Sequence, residues 1–133
     1  GTLSWDTPSS EISATSINTA GSATYSAAQM FSGIILRDPN YSSGPYSGRT
    51  DTTATAANIV AEFSSAAVGS CIKLVIVNGE TSSGNFSNTI TITAGSGVIL
   101  SGVSPVSANG ATTFLIICTN VSSGSEAVRI IQI

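Results

Sequence analysis

From Gly69 onward the chain is a succession of short apolar segments separated by turn residues, and this rhythm limits the fold more than any other feature. Ser70 to Val77 is apolar on both faces apart from Lys73, and Asn78-Gly79 follows it as a turn signal. Phe86 to Thr93 alternates, with Ile90 and Ile92 expected inward and Thr89, Thr91 and Thr93 outward. Val98 to Leu100, Val103 to Val106, Thr112 to Thr119 and Ala127 to Ile133 come next, divided by Gly-Ser or Ala-Asn-Gly turns. Strands spaced about 8 to 12 residues apart predict an all-β protein, an antiparallel sandwich or barrel. The last segment, from Val128 to Ile133, is apolar to its end. It belongs in a sheet interior or under a neighbouring chain, because an open apolar edge invites aggregation.

The upstream half is organised differently. Residues 1–30 are dominated by Ser, Thr and Ala, with weak alternation through Ile12 to Ile17 that suits a short edge strand or an arm packed on a neighbour. Met30 to Leu36 is an apolar run closed by Arg37-Asp38-Pro39, whose proline sets a turn. Asn40 to Gly48 reads as a loop rich in Tyr, Ser, Gly and Pro. After it, the stretch from Thr52 to Phe63 sets alanines with Ile59, Val60 and Phe63 at helical spacing behind Asp51 or Thr52 as N-cap. This is the one helix the sequence predicts, and at three turns it must dock through Ile59, Val60 and Phe63 to persist. The division that results is a segment 1–30 and a β-rich domain 31–133.

Composition narrows the function classes. Only 8% of the 133 residues are charged, against about 25% in ordinary domains. Hydroxyls take over the surface, since Ser and Thr make up roughly 30% of the chain, far above common usage. There is no His, which removes imidazole-based nucleophile systems and His-ligated zinc sites. Arg37, Arg49, Lys73 and Arg129 are the only bases and are scattered, so no phosphate-tracking surface for nucleic acid is expected. The longest apolar runs, Leu74 to Val77 and Phe114 to Cys118, fall far short of the ~18 residues of a membrane span, and no membrane insertion is expected. The reading is of a non-enzymatic protein without cofactor or metal.

Four groups of residues stand out as candidate sites. Tyr41 and Tyr46 sit in a loop of the composition binding loops use, because tyrosine offers amphipathic contact area at small entropic cost; the plainer alternative is a surface loop whose rings lie on the domain. Arg37 and Asp38 at one foot of that loop, with Arg49 and Asp51 at the other, look like a structural clamp in which a carboxylate accepts from a guanidinium fork. A carboxylate pair of Asp38 and Asp51 for glycoside hydrolysis is the remote alternative. Cys71 and Cys118 either form a disulfide or remain two buried thiols, a choice that geometry decides. Asn40, Asn85 and Asn120 head Asn-x-Ser sequons, which matter only on a secretory route. Gly95-Ser96-Gly97 lies between two strands, so the dinucleotide-binding reading fails on context.

Several stretches taken together resemble a known class of domain. These are Ile34-Ile35-Leu36-Arg37-Asp38-Pro39, Gly48-Arg49-Thr50-Asp51 leading into the Thr-Ala helix, Thr91-Ile92-Thr93-Ala94-Gly95-Ser96-Gly97-Val98, and Thr119 to Val128. They look like the C-terminal head domains of viral fibre or spike, collagen-like and capsid-decorating proteins of large DNA viruses and phages. The resemblance begins at Phe31; Ala54 stands where related sequences tend to carry proline. It implies a homotrimeric, jelly-roll-like β head on the virion surface, with residues 1–30 as a trimer-packing segment. Host attachment through a glycan or surface protein, or capsid decoration beside capsid proteins, would be its role. The alternatives are a purely structural trimerisation domain and a secreted carbohydrate-binding or C1q-like module.

Overall fold

Pairing between strands distant in sequence organises the chain. The computed structural model describes residues 13–39, 48–79 and 89–133. The elements in chain order are β1 (Thr15–Ile17), α1 (Ala27–Met30), β2 (Ile34–Arg37), β3 (Arg49–Thr52), α2 (Ala56–Glu62), β4 (Cys71–Asn78), β5 (Ile90–Thr93), β6 (Val98–Ser101), β7 (Ala111–Asn120) and β8 (Ala127–Gln132). Six of the strands form one sheet in the order β1-β2-β4-β7-β8-β6, and β3 pairs with β5 in a second, small sheet. The protein is mostly β, as the segment rhythm predicts.

Strand directions differ from the expectation. The pairs β1/β2, β2/β4, β3/β5 and β6/β8 are parallel, and only β7 runs antiparallel to its neighbours β4 and β8. The large sheet is therefore mixed rather than antiparallel. Inside/outside alternation is identical in both kinds of sheet, but a parallel pair needs a long crossover. The upstream half supplies it. From β1 the chain passes Thr24, which bridges to Thr52 of the small sheet, then α1, and returns as β2. The next circuit repeats the route through β3 and α2 to β4. Residues 13–30 are thus the first circuit of the domain, with Ile17, Tyr25, Ala27 and Met30 in its core.

Among the described residues there are two helices, not one. The first was legible as a capping box: the Ser26 hydroxyl accepts from the Gln29 N–H and the Gln29 side chain accepts from the Ser26 N–H. The second starts later than expected, with Thr55 as N-cap, because Asp51 lies inside β3. Ile59 and Val60 are buried as predicted, while Phe63 caps the C-terminus and meets Phe31 edge to face at 4.8 Å. Val103 to Val106 does not form a strand. Pro105 offers no N–H to a ladder, and only Val106 bridges, to Ile90. The C-terminal strand β8 lies inside the sheet, between β7 and β6.

The core fills the space between the inner face of the large sheet and a second layer made of the small sheet and both helices. Ile35, Leu74, Ile76, Phe114, Ile116, Val128 and Ile130 face it from one side; Tyr25, Met30, Ile59, Ile90 and Ile92 face it from the other. The Gly-x-Gly motif is a packing device at the rim of this core. A Cβ on Gly95 would lie 2.6 Å from the Ala54 carbonyl oxygen, and Gly97 takes a φ of +79°. The close approach lets the Ser96 carbonyl accept from the Ala56 N–H at the start of α2.

The opposite face of the large sheet carries side chains in four aligned rows. Cys71, Ile117, Arg129 and Ile99 form the first; Lys73, Leu115, Ile131 and Ser101 the second. Ile34, Val75 and Thr113 with Ile133 form the third, and Ser16, Leu36, Val77 and Ala111 the fourth. No side chain of these rows belongs to the core cluster, and Leu36, Ile99 and Ile133 are 42%, 52% and 59% exposed.

Replacing Gly95 with alanine should lower the unfolding free energy by about 1–3 kcal/mol, the usual cost of overpacking against backbone that cannot give way. Urea denaturation measures it, and a loss below about 0.5 kcal/mol, the size of a neutral surface change, would contradict this packing role.

Candidate functional site

The two strands that bracket the segment 40–47 carry oppositely charged side chains into the core. β2 delivers Arg37 and β3 delivers Asp51, both fully buried, and the alternation of each strand turns these residues inward. The guanidinium grips the carboxylate as a fork: Nε donates to Oδ2 at 2.6 Å and Nη2 donates to Oδ1 at 3.2 Å. Such a pair is costly to bury unless its remaining donors and acceptors are also met. Here they are. Nη1 donates to the carbonyls of Ile17 (3.3 Å), Thr19 (2.8 Å) and Asp38 (3.0 Å), and Nη2 donates to that of Gly21. Asp51 accepts in addition from the Ala23 N–H at 2.8 Å and the Tyr25 hydroxyl at 2.6 Å.

The clamp therefore holds three stretches at once: residues 17–25, the Arg37–Pro39 foot and the Gly48–Thr52 foot. Of the four residues named for it from sequence, the ion pair is Arg37 with Asp51. Asp38 enters through its backbone, accepting from Arg37 and donating its N–H to Ile17 O at 2.9 Å. Arg49 is half-buried in β3, level with Ile90, and its N–H donates to the Thr89 carbonyl. Sequence reading missed Tyr25 and the carbonyls of residues 17–21. Backbone acceptors carry no sequence signature, but a lone tyrosine in a Ser/Thr/Ala stretch is a signal that was there to use. Tyr41 and Tyr46, with the sequon residues Asn40 and Asn85, lie outside the described residues. The third sequon residue, Asn120, is exposed at the end of β7, where its side-chain oxygen accepts from the Ser122 N–H.

Chemically the cluster is a fastener. Asp51 is enclosed and every contact it makes is structural, so it offers no carboxylate to a substrate. Burial, and then the hydrogen bond to Asp51, push the Tyr25 hydroxyl far above its ordinary range, so it stays a donor. The two cysteines are unbonded. Cys71 is exposed on the outer face and Cys118 buried on the inner one, and the register sets Cys71 opposite Ile117. Burial, with Cys71 nearby, raises the Cys118 thiol above its ordinary value. Among the described residues no group of three His, Cys, Asp or Glu is placed to hold a metal ion, and no helix is long and apolar enough to cross a membrane.

The fold and this cluster define a mostly-β domain in which a buried ion pair ties together the two strands that flank residues 40–47. No family model, curated protein or solved structure matches the chain.

Two measurements check the fastener. Asp51→Ala leaves Arg37 buried without its counter-ion and should cost about 3–5 kcal/mol of stability in urea; a loss under about 1 kcal/mol, the worth of an exposed pair, would refute it. The second concerns pH. The Tyr25 hydroxyl ionises at higher pH folded than unfolded, so its contribution is complete below about pH 10. It is lost as pH rises beyond that, because the unfolded chain then releases a proton the folded one keeps. Tyrosinate absorbance in the folded range should be the same for wild type and Tyr25→Phe, and a smaller signal in the variant would show that Tyr25 ionises in place.

Proposed function

We propose that this chain is the head domain of a virion fibre or spike: a non-enzymatic, homotrimeric, sandwich-like β domain at the virion surface that attaches to a host glycan or surface protein. The observation that supports the reading is the Arg37–Asp51 pair, which ties together the two strands from which segment 40–47 departs and to which it returns. A recognition loop gains affinity when its base is rigid, because less freedom is lost on binding. A buried fork with every polar partner supplied is a rigid base.

The composition of the segment fits the same role. Tyr41 and Tyr46 stand among Ser, Gly and Pro, a mixture that gives large contact area with little side-chain entropy to lose. Three copies on one head would turn a weak individual contact into useful avidity. A coat of hydroxyls over a β core also suits a domain displayed outside a particle, where few charges attract few unwanted partners.

Binding of the assembled protein to host cells and to a glycan array tests the reading. Tyr41→Ala and Tyr46→Ala should each weaken binding at least tenfold without changing the thermal midpoint. Undiminished binding in both variants would remove the segment from the site, and absence of binding by wild type to any host surface would leave a decorating role instead.

A further inference from the structure

A cleft of about 550 Å³ lies where the exposed sides of α1 and α2 meet. Its size falls within the roughly 300–1,000 Å³ of small-molecule sites. The floor is Tyr25, Ala27, Thr53 and Ala54, all buried. Depth comes from composition, because Ala28 and Ala61 on the walls, like Ala27 and Ala54 below them, end in a single methyl group. The floor is also held in place. The Tyr25 hydroxyl donates to Asp51, and the Thr53 hydroxyl accepts from the Gly95 N–H and donates to the Ala54 carbonyl, both at 2.9 Å. A site on so fixed a base loses little freedom when it binds.

The chemistry of the walls selects the ligand. Backbone donors at the floor are spent: the N–H of Tyr25 goes to the Thr52 carbonyl, that of Thr53 to the Thr93 carbonyl and that of Ala54 to the Met30 sulfur. A peptide therefore finds no backbone ladder to join there. Side chains carry the remaining capacity. The Ser26 and Thr55 hydroxyls each accept from one backbone amide and keep an O–H to give. Asn58 and Glu62 stand one turn apart on α2, exposed, and their side chains bond to none of the described residues.

Hydroxyl, amide and carboxylate groups together both donate and accept, over a floor that is largely methyl. Neither Lys nor Arg lines the cleft, so a phosphate, a sulfate or an acidic sugar meets no counter-charge. Tyr25, the one aromatic residue of the lining, is 1% exposed and offers no ring face to an ammonium group. A ring that carries hydroxyls at its edge and C–H groups on its face matches what is left.

We propose that this cleft binds a neutral saccharide, its C–H face on the Ala27–Ala54 floor and its hydroxyls shared with Ser26, Thr55, Asn58 and Glu62. The site is separate from segment 40–47, and the inference takes no support from the virion reading.

An array of neutral, sialylated and sulfated glycans tests it, followed by calorimetric titration of the best-retained neutral glycan as its free oligosaccharide. Wild type should retain neutral glycans. Affinity should fall at least tenfold in Ala61→Leu, which fills the cleft from an exposed helix position, and at least threefold in Glu62→Gln, which keeps its shape. Ala57→Leu, equally exposed on α2 but outside the cleft, should bind as wild type does. Affinity unchanged by either cleft variant would overturn the proposal. If that same binding were lost in Tyr41→Ala, the reading of segment 40–47 would stand without the cleft; binding lost in the cleft variants and kept in Tyr41→Ala would do the reverse. Retention of sialylated or sulfated glycans alone, or of no glycan, would overturn the ligand class.

Discussion

The contact between the Arg37 guanidinium and the Asp51 carboxylate is the interaction on which the rest of this structure depends. Both groups are withdrawn entirely from water, a state that costs several kcal/mol per ion unless geometry and hydrogen bonding repay it. The repayment comes from the backbone. Four carbonyls, one amide and one tyrosine hydroxyl complete the shells of the two ions. Because those groups belong to residues 17–25 and 38, the pair cannot form without placing the whole first circuit of the chain against β2 and β3. A chain with so few charges uses two of them where an apolar contact could not set direction.

Legibility in the sequence followed the physics of each element. Strands buried by alternation, such as Ile90 and Ile92 in β5 or Val128 and Ile130 in β8, announce themselves, because the period of two survives any choice of partner. Strand direction does not, since alternation is common to parallel and antiparallel pairs. The long circuits through Thr24 and α1, and through β3 and α2, were the available clue. Arg37 and Asp51 could be named as a clamp from their places at two feet of one loop. Their depth could not, because full burial depends on carbonyls of a segment whose composition and weak alternation suggest only a short edge strand or a packed arm. Asp51 was equally plausible as a helix cap, a role it loses to Thr55 once β3 draws it into the interior.

The two faces of the large sheet divide the remaining roles. The inner face joins the helices and the small sheet in the core, and glycines such as Gly95 and Gly97 allow α2 to approach closely enough to seal its edge. On the outer face lies an apolar surface whose charges gather at one end.

Native-state hydrogen exchange at the Ala23 amide tests the central claim most directly, because this N–H has the buried Asp51 carboxylate as its acceptor. If the ion pair fastens the first circuit to the sheet, Ala23 exchanges only through global unfolding, at the same slow rate as the amides of Ile35 and Ile116 in the sheet core. Exchange at Ala23 faster by a hundredfold or more, with Ile35 and Ile116 still protected, would mean that residues 17–25 open independently and that the pair does not hold the structure together.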